Sequence, residues 1–352
     1  MTWERQLLRD MLSIYSPTGE EAPVARFLVN RFQEAGLAAD CDEAGNFIGT
    51  VGDGTTEVVL LGHIDTVPGH IPVEERDGLL FGRGAVDAKG PMATFVAAAL
   101  RLAESTPPRN LRLRVIGAVG EEGGSPGARY IAPRLHADHL IIGEPSGWDS
   151  LVLGYKGSLR IRYVLSRSSR HSAGPDESAP EVALRFWVRL QSLCEGHNTG
   201  KRVFDQLSPS LRAINSSSDG LYDRVEMDIG VRLPLDYGPR ELESLLREWA
   251  EEATVEVVFG DPAVKGEKSN ALVRSFLSAL RDSGYTPRFK VKTGTSDMNV
   301  VGPVWQCPML AYGPGDSSLD HTPEEHIQLA EYDSAIGILT AALKHLDEAV
   351  QN

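Results

Sequence analysis

The chain has 352 residues, a formal net charge of −14, and is 41 % apolar and 24 % charged. That length predicts two domains with ample core material, and the acidic balance excludes general binding to nucleic acid or anionic membranes. Three widely spaced cysteines (Cys41, Cys194, Cys307) exclude a disulfide framework, and a charged N-terminus without any long apolar run predicts a cytoplasmic protein with neither signal peptide nor membrane span.

Residues 2–14 read as an amphipathic helix, with Trp3, Leu7, Leu8, Leu12 and Ile14 on one side. Pro17 breaks it, and Thr18 or Glu20 is placed to start a second helix over 21–35, which Gly36 ends. A glycine-rich hairpin is expected around 46–54. The run Val58-Val59-Leu60-Leu61 then predicts a buried strand ending at Gly62, with His63 and Asp65 directly after it. A period of two sets both side chains on the same side of an extended chain. The pair reads either as a hydrogen-bonded turn or as the start of a metal site in which the carboxylate orients the imidazole.

Asp87 precedes an Ala-rich helix predicted over 91–104, so it is either an N-cap or a ligand. A strand over 111–119 ends in Glu121-Glu122, and adjacent carboxylates repel unless they are solvated or bind a cation. The strand 139–142 ends in Glu144. The strand 308–312 runs into a Gly/Pro/Ser/Asp loop that carries Asp320-His321. The alternation of strands and helices predicts an α/β fold. In open sheets of this kind, ligands bind outside the carboxyl ends of the strands. His63, Asp87, Glu122, Glu144 and His321 therefore form a candidate donor set for a pair of divalent cations, with zinc, cobalt and manganese all suited to nitrogen and oxygen ligands. Asp65 and Glu121 remain beside them for orientation and proton transfer.

Residues 154–262 differ in pattern. Strands are expected over 157–165, 222–231 and 254–259, with helices over 180–193 and 239–250, giving a two-layer α+β insert. The first pattern resumes at a helix starting near Asn270. The run 156–171 holds Lys156, Arg160, Arg162, Arg167 and Arg170 and no acidic residue. It reads as a docking patch for an acidic partner or as a solvated strand face. Gly123-x-Ser125-x-Gly127 fits the turn that presents a serine nucleophile, so a serine hydrolase is the reading from a different class. The strand end where that serine should stand is already occupied by Glu121 and Glu122.

The blocks Gly62-His63-Ile64-Asp65-Thr66-Val67-Pro68, Gly82-Arg83-Gly84 through Asp87-x-Lys89-Gly90, Gly120-Glu121-Glu122, Gly143-Glu144-Pro145-Ser146 and Asp320-His321 together resemble the M20 metallopeptidases. These are two-metal amidohydrolases that include acetylornithine deacetylase and succinyl-diaminopimelate desuccinylase. The resemblance implies a mixed-sheet di-metal catalytic domain, residues 1–154 plus 263–352, interrupted by a lid or dimerisation domain over 155–262. It implies two divalent ions, zinc first, held by His63, Glu122, Glu144 and His321 and bridged by Asp87. Glu121 would be the general base, and Asp65 would orient a ligand. Arg170-His171-Ser172-Ala173-Gly174-Pro175 is similar to the block in which the lid of a neighbouring subunit sends a histidine, here His171, to the substrate carbonyl. Asn215 and Arg232 resemble contacts to a substrate carboxylate.

The segments 292–299 and 312–321 are similar to the branch that releases lysine or ornithine from a small acidic amino-group carrier protein. There the amino acid is held as an amide on the side chain of the carrier's C-terminal glutamate. Gly294, Thr295 and Ser296 would be further substrate contacts. The expectation is a homodimeric hydrolase of linear amides acting last in lysine or arginine-precursor biosynthesis. Within the same class, the alternative is a small-molecule deacylase acting on acetylornithine or succinyl-diaminopimelate.

Overall fold

The computed structural model describes residues 2–171, 174 and 176–350. The chain divides into two compact units, one comprising Met1–Gly154, Gly266–Val291 and Ser296–Asn352, the other Tyr155–Lys265 and Lys292–Thr295.

The first unit is built on a mixed sheet. It opens with the antiparallel hairpin Ala38–Cys41 and Phe47–Val51, the latter pairing antiparallel with Leu111–Ala118. Then come Thr56–His63, His139–Gly143 and Met309–Ala311, each parallel to its predecessor, and Ser150–Tyr155 antiparallel to the last. The centre of strand Thr56–His63 is an unbroken apolar run because both of its faces are covered: Val58, Val59, Leu60 and Leu61 are all fully buried. Helix Lys89–Ser105 is buried on nearly every side, which explains its lack of a polar face. Helix Leu329–Ala349 packs on it and on Ala271–Asp282. A small sheet of Glu74–Arg76, Leu79–Phe81 and His326–Gln328 stands apart from the main one.

Two local expectations change. The second helix is Ala22–Glu34 with Glu21 before it, not Thr18 or Glu20. The Thr18 hydroxyl is committed elsewhere, donating to Asp65 at 2.8 Å. The hairpin turn lies at 42–46 rather than over 46–54. Asp42 Oδ1 accepts the N–H groups of Ala44 and Asn46, both at 2.9 Å, and this side-chain turn sends the chain back as the strand from Phe47.

The second unit is a four-stranded antiparallel sheet in the order Ser208–Ser218, Tyr222–Leu233, Gly157–Ser168, Thr254–Asp261. Helices Ala179–Asn198 and Pro239–Trp249 cover its apolar face over a core that includes Ile161, Tyr163, Met227, Phe186 and Leu246. Ser178 and Glu181 close a capping box on the first of these helices. Strand Ser208–Ser218 has no apolar alternation to announce it, being an edge strand exposed along most of its length.

The basic run on this sheet is not a basic surface. Lys156 is buried, its Nζ donating to the carbonyls of Val203 and Gln206 and to the Ser208 hydroxyl. Arg160 pairs with Asp228 and Arg162 with Glu226, each at 2.6 Å, and Arg167 with Glu252 at 2.9 Å. Arg170 pairs with Asp176. Among the described residues, no helix is long and apolar enough to cross a membrane.

Candidate metal centre

The strands Leu111–Ala118, Thr56–His63, His139–Gly143 and Met309–Ala311 are neighbours and run parallel, so their carboxyl ends lie along one edge of the sheet. One of these strands ends on His63, and the next residues after the others lead to Glu121 and Glu122, to Glu144, and through a longer loop to His321. Two glycines shape these exits. Gly120 turns the chain at φ 72°, where a Cβ would lie 2.7 Å from Pro126 Cγ. At Gly313 a Cβ would lie 2.7 Å from the Glu144 carbonyl oxygen, so only glycine lets the loop toward His321 pass Glu144 this closely. His321 itself takes φ 62°, which a non-glycine residue rarely adopts.

Asp87 stands between the two imidazoles. Its Oδ1 is 3.0 Å from His63 Nε2 and its Oδ2 is 3.0 Å from His321 Nε2. His321 Nε2 is also 2.7 Å from Glu122 Oε1. One donor atom from each of Asp87, Glu122 and His321 lies within 4.8 Å of the others. Asp87 is not an N-cap: the helix begins at Lys89, behind Ala88, with no side-chain cap.

Asp65 holds this arrangement from behind. Its Oδ1 accepts the Glu121 N–H at 3.0 Å and its Oδ2 the Glu122 N–H at 3.2 Å. His63 Nδ1 lies 3.0 Å from the Asp65 carbonyl and 3.3 Å from Asp65 Oδ1. With a proton on Nδ1, Nε2 turns its lone pair toward Asp87. A lone pair facing a carboxylate persists only when a proton or a metal cation sits between them.

The electrostatics of the cluster point the same way. Burial alone would lower the His63 pKa, yet hydrogen bonds and charge from Asp65 and Asp87 raise it well above the usual value. The Asp87 hydrogen bond, with the charges of Asp87 and Glu122, lifts His321 to about 9. Burial opposes ionisation of Asp87, but bonds to His321 and His63 bring its pKa far below the ordinary range. Burial, then the surrounding carboxylates, pushes Glu121 and Glu144 well above theirs, and Glu122 is raised for the same reasons. Four half-buried carboxylates are thus gathered with the buried His63 and the exposed His321. Two imidazoles and three carboxylates are also an oxygen and nitrogen donor set suited to two divalent cations. The residues fit such ions.

One buried acid has no assigned role in the sequence reading. Asp297 is 3 % exposed, and neither carboxylate oxygen has a well-formed hydrogen bond. Burial raises its pKa to about 6 against the pull of the Ser125 hydroxyl and the His63 charge. Its position after Gly294-Thr295-Ser296 marks the segment, but nothing in the sequence announces burial. Ser125 is itself buried at φ 60°. Its polar neighbour is this carboxylate, which cannot serve as the imidazole base that a serine nucleophile uses. Ser296 is buried and engaged locally: its N–H donates to Asn299 Oδ1 at 2.9 Å, and its hydroxyl accepts the Met298 N–H at 3.3 Å.

The remaining candidates belong to the second unit. His171 lies in the exposed loop after Gly157–Ser168, its carbonyl accepting the Gly174 N–H at 2.8 Å. Ser172, Ala173 and Pro175 of its block lie outside the described residues. Asn215 is on the exposed edge strand, opposite Glu226. Arg232 donates to Thr295 Oγ1 at 2.9 Å, and Gly294 precedes that threonine.

Residues 59–345 match the model of peptidase family M20/M25/M40. The chain is 45 % identical over 353 residues to a LysW-lysine hydrolase of Deinococcus radiodurans, covering 97 % of this chain and 96 % of that protein. It is 29 % identical over 341 residues to a LysW-lysine/LysW-ornithine hydrolase of Saccharolobus islandicus, covering 96 % and 94 %. Among solved structures it resembles an M20 family metallo-carboxypeptidase of Sulfolobus solfataricus with a TM-score of 0.79 at 16 % identity, over 99 % of this chain and 100 % of that one.

Proposed function

Because the chain belongs to peptidase family M20/M25/M40, a family of metal-dependent hydrolases, we propose that it cleaves the amide joining lysine or ornithine to the side chain of the C-terminal glutamate of a small acidic carrier protein. The placing of Asp87 between His63 and His321, with Glu122 beside it, is the observation that carries amide hydrolysis at a metal centre. The substrate rests on the relatives named for LysW-linked lysine and ornithine. The reading includes a cytoplasmic homodimer and the last step of lysine or arginine-precursor biosynthesis.

His63, Asp87, Glu122, Glu144 and His321 would hold the two cations, zinc before cobalt or manganese. When bound, such ions lower the pKa of a water and polarise the amide carbonyl. Glu121 is the proposed base. Its carboxylate takes the proton of the attacking water and returns it to the leaving nitrogen, a task suited to a carboxyl whose pKa burial has raised. Asp65 keeps Glu121, Glu122 and His63 in place through three contacts to its carboxylate. By resemblance to the family, His171 would reach the carbonyl from a neighbouring subunit, with Asn215, Arg232, Gly294, Thr295 and Ser296 contacting the substrate.

The test compares LysW-linked lysine and ornithine with acetylornithine and succinyl-diaminopimelate, using chelated protein before and after two equivalents of zinc. Zinc-dependent release from the carrier is expected. Turnover of the small acyl compounds with none on the carrier would move the protein to the deacylases. Activity unaffected by chelation but lost to a serine reagent would overturn the metal reading altogether.

A further inference from the structure

Asp87 and His321 come from segments more than two hundred residues apart, and neither segment is a regular element. Their side chains nevertheless meet at 3.0 Å. The small sheet brings them near each other, since strand His326–Gln328 pairs antiparallel with Leu79–Phe81, with His326 opposite Phe81. The residues just before the one strand therefore run beside those just after the other. The main-chain bond from the Gly82 N–H to the Glu325 carbonyl, 3.3 Å, is the last rung of that pairing.

Beyond that rung a side chain takes over. Glu325 is fully buried. Its Oε1 accepts the backbone N–H of Val86 at 2.9 Å and of Asp87 at 3.1 Å. Its Oε2 accepts Arg83 Nη1 at 2.7 Å. Arg83, also buried, donates from Nε to the Gly69 carbonyl at 3.0 Å and from Nη1 to the Thr322 carbonyl at 3.2 Å. Thr322 is the residue after His321. One carboxylate thus holds the backbone of Asp87, and through one guanidinium it also holds the backbone beside His321.

A buried ion pair is weak evidence for stability, because desolvation offsets much of its attraction. What this pair does supply is geometry. A carboxylate that accepts two neighbouring N–H groups fixes the peptide that carries Asp87, and with it the direction of the side chain. We propose that Glu325, acting through Arg83, is a positioning residue that sets Asp87 and His321 for cation binding. It touches neither imidazole nor the reacting groups. The proposal rests on the metal centre described above, and its test separates the two.

The experiment is zinc titration of chelated protein by calorimetry, together with the visible absorption spectrum of the cobalt-loaded protein. Wild type is expected to bind two cations; if it binds none, both the metal centre and this role fall. Glu325→Gln keeps the shape but sets an amide NH₂ against Arg83. It is expected to lose roughly tenfold or more in affinity for at least one cation, as is usual when a support behind a metal ligand is removed, and to shift the cobalt spectrum. Arg83→Gln leaves both backbone bonds to Glu325 intact, so a smaller loss of roughly threefold is expected. A purely structural pair would lower the melting temperature in both variants and leave affinity and spectrum unchanged, which overturns the proposal. Should Glu325→Gln fail to fold, wild-type zinc affinity and an unshifted cobalt spectrum in Arg83→Gln overturn it equally.

Discussion

On the sheet of the second unit, Arg160 and Arg162 each meet a carboxylate of the adjacent strand, Asp228 and Glu226. At the strand ends of the first unit, Asp87, Glu121, Glu122 and Glu144 crowd around only two imidazoles. In the first case the charges are one-third to one-half exposed and cancel in pairs. In the second the acids are only half-buried, but acid remains in excess. Exposed, paired charge costs little and directs little. Buried charge in excess is tolerated only where a cation or a proton is part of the design. The difference teaches that the sign of a run of residues says less about function than whether the fold supplies its counter-charge.

The largest way to sharpen this contrast is to remove a single acid from the crowded side. Glu121→Ala should lower kcat by about 10²-fold or more, the usual cost of losing a general base, while still binding two zinc ions. Kinetics and metal analysis on one preparation check it; near-normal turnover would exclude Glu121 as the base. Next in size is Asp65→Ala. It removes the acceptor of the Glu121 and Glu122 N–H groups and the carboxylate behind His63. Zinc affinity should fall by roughly 10- to 100-fold, read by titration of the chelated protein. An unchanged isotherm would mean that the loop holds itself.

Much of the crowded side is legible in the sequence. Strands buried on both faces are written as apolar runs, and the strand ends stand out because a His or Glu stands at the end or within three residues of it, as at His63, Glu121 and Glu144. Three things are not legible. Strand Ser208–Ser218 is an exposed edge whose serines carry no hydrophobic period. The partners of Arg160 and Arg162 lie 68 and 64 residues away, so the run looks uncompensated until the strands pair. Glu325 and Asp297 are ordinary acids by sequence, and only tertiary packing buries them.

Asp297 gives a third effect, of similar size to the second and visible as a pH dependence. Burial raises its folded pKa to about 6, from 3.8 for a free carboxyl. Stability tied to its protonated form is then complete below about pH 4 and is lost as pH rises through 6. Asparagine cannot ionise and escapes that loss. Chelated Asp297→Asn should therefore gain on chelated wild type as pH rises, by on the order of 2–3 kcal/mol at pH 8, with the gap closing toward pH 4. Denaturant unfolding across that range measures it. A gap that does not vary with pH would mean that Asp297 ionises freely where it sits.

The smallest effect belongs to the paired side and tests the other half of the contrast. Arg160 and Asp228 are each about one-third exposed, at 35 % and 29 % of their side chains. Solvent screens such a pair, so its coupling in a double-mutant cycle should be about 0.5 kcal/mol or less. Exchanging the two charges, Arg160→Asp with Asp228→Arg, keeps the local sum at zero. If the stretch 156–171 is balanced by its own sheet, this exchange should leave KM for a carrier-linked substrate within about twofold of wild type, with the same salt dependence. The reasoning is that steering of an acidic partner depends on the net field at about a Debye length, roughly 8 Å at physiological salt, and a neutralised pair contributes little at that range. Single Arg160→Gln differs, because it exposes the Asp228 carboxylate and adds local negative charge. It should raise KM slightly, and less so as salt rises. If the exchanged pair instead loses carrier affinity steeply while the fold is kept, Arg160 itself contacts the carrier and the sheet is a docking face despite its internal pairing.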